Sequence, residues 1–594
     1  MDKARKSWPL LATVWLAAAS YSLASAARAE EPLDAFPDQA AAVARIASLD
    51  KFAGGFKELT ANLGPLGALA GPGLENGLNQ AFQIAGDGQA LDRMAPAYLA
   101  VFPLENEREP VAWMVRAADE TKLRRAVLKA GAEETLTPEK RDDGFEKLTK
   151  DGHSWYFGRF GDWTLYTSNE NVVKLLAFDR AQAKTFASLV EPRAKQMFEA
   201  GDGAVFVNAA MLVEKYGEKL TEARERLLRR IDSLPDQALG GGGTGNANPQ
   251  AAKKLYSNLA NLAFDTLGDA RWLAGRVNLT AAGVEAAAML GVHEASGADK
   301  LLAANPPSPL ENLGLLPSGA TAYYGYRVDY QHLLSRTLDF AQLAYGADSP
   351  NAKKIKAATE LMHEAGLGPK VGSFSFVPGK GLTASTLQQA EHPEKLNAAV
   401  AQVEQATEAK TPSYNQTTEL KANAETCQGR PVDLLTTRFA FNDVTEQGQK
   451  ISQKFIEKIF GGQSLETRIT TIEGFSVQAV GNDPKYLQQT LDGLTSGEGV
   501  LGLDEAFSKT RDQLGDEANL IVLLNAPRFV VDIVGMIRDI PPFDMLLARA
   551  PFNFGYQPPV SYAGLAVGAE PQALRLQLYI PVEQPKGVLS IFGQ

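Results

Sequence analysis

A short repeated unit is the feature that most restricts how this 594-residue chain can fold. In each copy, an alternating strand is followed by a short polar residue and then by an amphipathic helix. Ala204–Asn208 leads into a helix near Met211, and Leu520–Asn525 leads into a helix near Phe529. A short polar side chain can accept hydrogen bonds from the free N–H groups of the first helical turn. The pattern therefore predicts helices capped at Asn208 and Asn525.

Further segments share this shape, with a Ser, Asp, Asn or His four residues before an apolar helix position. The predicted capping residues in these segments are Ser48, Asp119, Ser168, Asp329, His392 and Asn482.

The units recur in the same order twice, with matching points roughly 280 to 320 residues apart. This order predicts a tandem duplication, with a first half over 30–305, a linker over 306–320 and a second half over 321–594. The proline-rich stretch Asn305–Pro309 marks the start of the linker. Inside the first half, two helices flank a glycine-rich tip at 240–249, which predicts a helical hairpin.

Several strand pairs are too close in sequence for helical crossovers and must form antiparallel hairpins. They are 154–160 with 162–166, 274–279 with 284–290, and 372–377 with 382–387. The predicted class is therefore α+β, internally duplicated, with largely antiparallel sheets and helices packed on one face.

The N-terminus has the pattern of a secretory signal peptide over residues 1–29. Lys3, Arg5 and Lys6 precede an uncharged apolar stretch, and Ala27-Arg28-Ala29 supplies small residues for cleavage. Ala24-Ser25-Ala26 is an alternative cleavage site. The competing interpretation is an uncleaved membrane anchor, because the apolar stretch is just long enough to span a bilayer. We expect cleavage and export to the periplasm or the extracellular space.

Composition fits an exported, soluble product. Removing residues 1–29 takes away four basic residues and one acidic residue, so the formal charge falls from -11 to about -14. This charge argues against nucleic acid as a partner. The most apolar later segment, 520–537, contains Asn525, Pro527, Arg528 and Asp532, so no further membrane span is expected. The single Cys427 can form no internal disulfide, which points to a bacterial source.

Local catalytic motifs have simpler explanations in this sequence. Gly240, Gly242 and Gly245 match the spacing of a dinucleotide-binding loop, but a long charged helix precedes them instead of a strand. Ser48 and Lys51 have the spacing used by acyl-serine enzymes, but the other elements of such sites are absent and Ser48 stands at a capping position. We expect no cofactor and no catalytic residue from these motifs.

The five histidines are scattered singly, and none has the second histidine one turn later that a zinc site needs. We therefore expect no metal site from local sequence. A site assembled from distant residues, with His153 or His332 beside carboxylates, stays open as an alternative.

Two further segments are candidates for contact surfaces. The basic run Arg224–Arg230 is interleaved with glutamates, which is typical of a solvated helix face, and contact with an anionic surface is the alternative. The aromatic residues Phe552, Phe554 and Tyr556 stand in a proline-rich loop, where we predict a surface contact. Tyr323, Tyr324 and Tyr326 alternate along a strand, which predicts one core face and one exposed face.

The repeated Val207-Asn208, Leu524-Asn525 and Val328-Asp329 units behind a signal peptide resemble those of uncharacterised exported proteins of bacteria, of the planctomycete type. That resemblance covers most of the mature chain and implies no site residues.

Three hypotheses for the function follow. The first is a non-enzymatic exported protein that binds a protein or envelope component or contributes to envelope structure. The second is a carrier of an apolar ligand or lipid, held in a groove between sheet and helices. The third is an enzyme with a site assembled from dispersed residues. The oligomeric state is not indicated by the sequence.

Overall fold

The computed structural model describes most of the chain after the predicted signal peptide, whose residues lie outside the described part. The described residues are 31–64, 73, 77, 80–82, 90–105, 107, 110–131, 133–180, 182–234, 249–406, 409–410, 414–442, 447–541, 543–549, 552–553 and 555–592. Two compact units divide the chain: residues 1–45 with 79–196, and residues 46–78 with 197–594. The linker residues Asn305–Pro309 lie inside the second unit.

The first unit contains an antiparallel sheet with short helices. Its strands are ordered β1–β2–β3–β7–β6–β5–β4. The elements are β1 (Ala42–Ile46), β2 (Ala97–Val101), β3 (Val111–Val115), α2 (Glu120–Leu128), β4 (Glu139–Lys140), β5 (Glu146–Lys150), β6 (His153–Phe160), β7 (Trp163–Thr167), α3 (Glu170–Leu176) and α4 (Pro192–Ala200), with 3-10 turns at Pro32–Ala35 and Phe186–Leu189.

The second unit begins with α1 and continues from β8. Its elements up to the end of the first sequence half are α1 (Leu49–Ala61), β8 (Gly203–Val207), α5 (Ala209–Asp232), α6 (Pro249–Gly268), β9 (Ala270–Thr280), β10 (Gly283–Val292) and α7 (Gly297–Ala303).

The remaining elements of the second unit belong to the second sequence half. They are β11 (Ala322–Tyr326), α8 (Tyr330–Tyr345), α9 (Pro350–Glu364), β12 (Leu367–Val377), β13 (Gly381–Ala390), α10 (Pro393–Ala406), β14 (Ala409–Lys410), β15 (Tyr414–Cys427), β16 (Arg430–Phe441), α11 (Gln447–Phe460), β17 (Ser464–Ile472), β18 (Phe475–Val480), α12 (Lys485–Ser496), α13 (Glu505–Asp512), β19 (Leu520–Leu524), α14 (Ala526–Ile537), α15 (Phe543–Arg549), β20 (Ala563–Glu570), β21 (Ala573–Pro581) and α16 (Glu583–Ile591), with 3-10 turns at Glu311–Leu315 and Leu501–Leu503.

All the paired strands of the second unit are antiparallel. Their order is β8–β9–β10–β21–β20–β19–β11–β12–β13–β18–β17–β16–β15–β14. The predicted hairpins are present as β6/β7, β9/β10 and β12/β13. The predicted α+β class with antiparallel sheets and packed helices is therefore confirmed.

The duplication is visible in the strand order and in single hydrogen bonds. The order β1–β2–β3–β7–β6–β5 in one half corresponds to β11–β12–β13–β18–β17–β16 in the other. In the first half, the Phe186 N–H donates to the Phe36 carbonyl over 2.8 Å; in the second, the Leu501 N–H donates to the Leu316 carbonyl over 2.8 Å. Both bonds tie a 3-10 turn to the segment before the first strand of its half.

Strands β10 and β21 join the two sequence halves. Gly283 lies opposite Pro581, and Gly291 lies opposite Ala573. Because Gly283 and Ala573 each begin their strand, the pairing has a local two-fold centre at the Ala287–Gln577 pair. Such self-complementary pairing is the geometry of a symmetric dimer interface, here made within one chain.

Most predicted caps are confirmed. The side chains of Asn208 and Asn525 accept hydrogen bonds from the N–H groups of Met211 and Arg528, and Ser48, Asp119 and Asp329 act in the same way on their own helices. Two predictions were wrong by one residue: Asn169, and not Ser168, caps α3, and Asp483, and not Asn482, accepts from the first turn of α12. Local sequence is least informative about such boundaries, since neighbouring polar residues compete for the same role.

The main core cluster of the second unit packs α12 and α13 against one face of its sheet. It includes Tyr323, Leu387, Val477, Leu487 and Leu491. Helix α10 lies on the opposite face, because the Ser476 hydroxyl, next to Val477 in the same strand, donates to the Asn397 side chain over 2.5 Å. Successive strand residues point to opposite faces, so helices cover both sides of the sheet at β18, and not one face as the sequence predicted.

Candidate functional site

One face of the second unit's sheet is apolar and partly exposed over many strands. The two faces of the sheet differ in burial, as β19 shows. Ile521 and Leu523 are completely buried, while Leu520, Val522 and Leu524 are partly exposed. Alternate residues of a strand face opposite sides, so the second group shares a face distinct from the main core cluster.

The strand registers carry this face across neighbouring strands. One row runs from Val277 through Ala286, Leu578, Leu565 and Val522 to Tyr324, and the next from Gly275 through Ala288, Leu576, Val567 and Leu520 to Tyr326. We call this surface the apolar face; its larger side chains are Val205, Val207, Leu273, Val277, Leu279, Val284, Leu290, Leu520, Val522, Leu524, Leu565, Val567, Leu574, Leu576, Leu578, Ile580, Tyr324, Tyr326, Phe374 and Phe376.

None of these larger side chains is fully buried, and Leu273 and Leu576 are 37% and 40% exposed. The reverse side of β9, β10 and β21 carries polar residues such as Glu285 and Gln577, and also buried apolar residues such as Trp272. Both sides of these strands therefore carry apolar side chains, and those of the apolar face are the less buried ones. Its partial exposure means that the described side chains do not fill the space above it.

The extent of the face follows from strand spacing. It crosses eight strands from β8 to β12, and strands about 4.8 Å apart give it a width of about 34 Å along the sheet. An apolar surface of this width that stays partly exposed is a candidate binding surface.

Helices border the apolar face on two sides. At β8 and β9, a side chain at Gly203 would meet the Phe52 ring of α1, and Gly55 brings α1 so close that a side chain there would collide with the Leu279 carbonyl. At β12, the Phe529 ring of α14 lies 6.2 Å from the Phe376 ring. The face is therefore the floor of a groove between sheet and helices.

Aromatic residues and one lysine end the apolar face at β11 and β12. The Tyr324 ring stacks 6.3 Å from the Tyr326 ring, which lies 6.5 Å from the Tyr330 ring. Gly372 leaves room for Tyr324, since a side chain there would overlap the ring. Lys370 lies directly opposite Tyr326.

Burial shifts the titration of these groups. It lowers the pKa of the Lys370 amine and raises the pKa of the Tyr326 and Tyr330 hydroxyls. All three shifts favour the neutral form, as expected where water is partly excluded.

Polar cavities adjoin this end of the face. One of about 410 Å³ is lined by Arg327, Tyr330, His363 and Glu391, among others. A second, of about 650 Å³, shares Arg327 and Glu391 and reaches the segment Ser308–Asn312. Within the described residues, the Arg327 guanidinium makes no ion pair.

Phe552 and Tyr556, two of the residues predicted as a surface contact, are not part of this groove's floor. Phe552 is partly buried with its ring 5.7 Å from the Phe592 ring, and Tyr556 lies near Gly587 of α16. Phe554 lies outside the described residues. Contact through Phe552, Phe554 and Tyr556 stays a prediction.

The tyrosines of β11 behave as their alternation predicts. Tyr323 is completely buried in the main core cluster, where its hydroxyl donates to the Pro317 carbonyl over 3.0 Å, while Tyr324 and Tyr326 are partly exposed. The signal that sequence reasoning missed lies in β20 and β21, where apolar residues alternate just as regularly with polar or small ones.

The histidines are not gathered into a cluster. His332 is exposed, with its Nε2 3.5 Å from Arg336 Nε, and His153 is exposed at the start of β6. Among the residues that the structure describes, no group of three or more His, Cys, Asp or Glu side chains could hold a metal ion. Ser48 accepts from the Lys51 N–H over 3.1 Å, and Lys51 pairs with Asp202 over 2.7 Å, which confirms the capping role.

The two helices of the predicted hairpin are present as α5 and α6; of the predicted tip at 240–249, residues 240–248 lie outside the described residues and Pro249 begins α6. Arg224 of α5 bonds to Asn261 and Asp265 of α6, each over 2.9 Å, and Arg229 pairs with Glu225. Arginines of the basic run thus form ion pairs, as expected for a solvated helix face. No helix in the described part of the chain is long and apolar enough to cross a membrane.

Comparison with known proteins assigns no family. The sequence matches no protein-family model and none of the curated proteins. Among solved structures, crystal form III of TP0453 aligns with 47% of this chain and 97% of its own length, at 12% identity and a TM-score of 0.20. A likeness at that level carries no argument about function.

Proposed function

We propose that this chain is an exported, non-enzymatic protein that binds an apolar, lipid-like ligand on the apolar face. The main observation in favour is the difference in burial along β19, where Leu523 is completely buried and its neighbours Val522 and Leu524 are partly exposed. A face that is apolar over eight strands and is not covered by the described side chains offers a ligand the hydrophobic stabilisation of about 25 cal/mol per Å² of buried area.

The form of the face suits a long apolar ligand better than a compact one. Ligand sites are concave and mostly apolar, with few polar groups that fix orientation. Here the polar groups are concentrated at one end, around Lys370 and Tyr330, while the rows through Ala286 and Ala288 contain only apolar residues from β9 to β19.

The test is to fill the groove from its floor. Ala286 and Ala288 are partly exposed near the centre of the face, so Ala286→Trp and Ala288→Trp place a ring in the space that the ligand would occupy. We expect each variant to weaken binding of a neutral fluorescent apolar probe by about tenfold or more, since lost apolar burial of this size exceeds 1.4 kcal/mol. Leu503→Trp, at a surface residue that is 74% exposed, is the matched control.

Native purification followed by solvent extraction and mass spectrometry gives an independent result. Co-purifying lipid is expected in the wild type and reduced in Ala288→Trp. If the wild type neither retains lipid nor binds the probe, the proposal is wrong.

A second candidate function, docking to a partner in the cell envelope, is favoured by helix α6. Its exposed apolar residues Leu255, Tyr256, Leu259, Leu262 and Leu267 lie within one arc of the helix. Chemical crosslinking in the source cells, followed by mass spectrometry, tests this: crosslinks from Lys253 or Lys254 to one recurrent neighbour are expected, and crosslinks that scatter evenly over abundant proteins count against it.

A further inference from the structure

We infer that the ligand of the apolar face is an amphipath with an anionic head group, a carboxylate or a phosphate monoester, received by Lys370 with Tyr326 and Tyr330. This inference rests on the proposed function and adds the chemical class of the ligand.

The position of Lys370 is the first step of the argument. It lies opposite Tyr326 in register, so its side chain belongs to the apolar face, while the adjacent Val371 is completely buried on the reverse side. Towards β8, the rows next to it contain apolar residues only. Lys370 is thus the cation at the boundary where the apolar face ends.

The second step is that the Lys370 amine lacks a partner. Within the described residues it makes no ion pair and no side-chain hydrogen bond, although the residue is half-buried. Withdrawing an ammonium from water costs free energy unless an opposite charge or hydrogen bonds replace its hydration. An anionic group bound beside it would supply that compensation.

The third step is a second unpartnered group at the same end of the face. The Tyr330 hydroxyl is buried and has no hydrogen-bond partner among the residues that the structure describes. Buried hydroxyls without partners are rare in native structures, and each calls for a ligand or another explanation. The ring contacts from Tyr330 to Tyr326 place both tyrosines at the same end of the face as Lys370.

The fourth step is polar space for the head group. Tyr330 also lines the polar cavity of about 410 Å³, where Arg327 is exposed and makes no ion pair within the described residues. An acyl chain over the apolar face can therefore leave its head group beside Lys370, at the end of the face that Tyr330 shares with this cavity. A neutral head group would leave the half-buried Lys370 amine uncompensated.

The experiment compares ligands with the same tail and different heads. Oleate, oleoyl lysophosphatidate and oleyl alcohol displace the neutral probe from the wild type and from Lys370→Met, which removes the charge and keeps an apolar stem of similar length. Lys356→Met, at an exposed lysine of α9, is the matched control, and thermal unfolding checks that each variant is folded.

For the wild type, we expect both anions to bind more tightly than the alcohol. Lys370→Met should weaken both anions by about tenfold and leave the alcohol unchanged, since a charge-assisted hydrogen bond is lost only for an anion. Lys370→Arg should restore most of the anion affinity, and Tyr330→Phe should weaken the anions by about threefold. The ratio of the two anions identifies which head group the site prefers.

Other outcomes separate the two proposals. Equal affinity for anions and alcohol, or an equal loss of all three in Lys370→Met, would overturn the inference and leave the apolar ligand standing. If none of the three ligands displaces or replaces the probe and the probe itself does not bind, both proposals fail together.

Discussion

Single capping residues decide where the helices of each unit begin. Asn525 is almost completely buried; its side chain accepts from the Arg528 N–H over 3.1 Å and donates to the Pro559 carbonyl over 3.3 Å. Asn208 makes the equivalent bond to the Met211 N–H over 3.2 Å, but it is only partly buried. We therefore expect removal of the capping side chain to reduce stability by different amounts at Asn525 and at Asn208.

Asn525→Ala should lower the free energy of unfolding by about 1 to 2 kcal/mol, because it removes both the cap and the hydrogen bond to the Pro559 carbonyl from an almost completely buried side chain. Asn208→Ala should cost about 0.5 to 1 kcal/mol through loss of the cap alone. Urea unfolding of both variants measures the difference, and equal losses would show that the Pro559 contact contributes nothing.

The lone cysteine has a pKa raised by burial and, secondarily, by the nearby Asp492 and Glu425 carboxylates. Because the thiolate is the reactive form, Cys427 should react with a maleimide at pH 7.5 more slowly than the same thiol in the urea-unfolded chain. The rate in the folded protein should keep rising through pH 9, since more thiolate forms only as the pH approaches the raised pKa. Folded and unfolded rates that coincide at pH 7.5 would contradict this.

At the scale of elements, β19 separates two surfaces of opposite character. Its core side packs Ile521 and Leu523 in the main core cluster, and its other side contributes Leu520, Val522 and Leu524 to the apolar face. Substituting a leucine on each side of β19 therefore tests stability on one side and ligand binding on the other.

Leu523→Ala should destabilise the protein by about 2 to 5 kcal/mol, because it opens a cavity in a packed core. Leu520→Ala should cost less than about half as much, since that side chain is already partly exposed, and it should instead weaken binding of the apolar probe. Chemical unfolding and probe titration of both variants give the two readouts. A larger stability loss from Leu520→Ala would mean that the apolar face is core.

At the scale of the whole molecule, the two sequence halves are tied together by strand pairing as well as by the covalent linker. Strands β10 and β21 pair over nine residue positions, from Gly283–Pro581 to Gly291–Ala573. The apolar face continues across this pair, so its central rows draw on both halves.

A protease site inserted after Pro306, which is exposed, should leave the two fragments associated after cleavage. The paired backbone and the apolar rows on both strands must be separated before the fragments can part. Size-exclusion chromatography of cut and uncut protein measures this, with the cut protein in urea as the dissociated reference. Separation of the fragments without denaturant would contradict a structural role for the β10–β21 pair.

The sequence by itself determined the elements of this protein and their order. Capping residues such as Asn208 and Asp329, and the hairpins too short for crossovers, are read from neighbours along the chain, because their physics is local. The alternation of β11 likewise predicted that Tyr323 is core and that Tyr324 and Tyr326 face the other side. Only the tertiary structure decided that rows from distant strands align into one apolar face, and that Lys370 and Tyr330 lie at the same end of it. Strand registers far apart in sequence depend on long-range packing, and whether a side chain ends up covered depends on what lies above it, which no local pattern records.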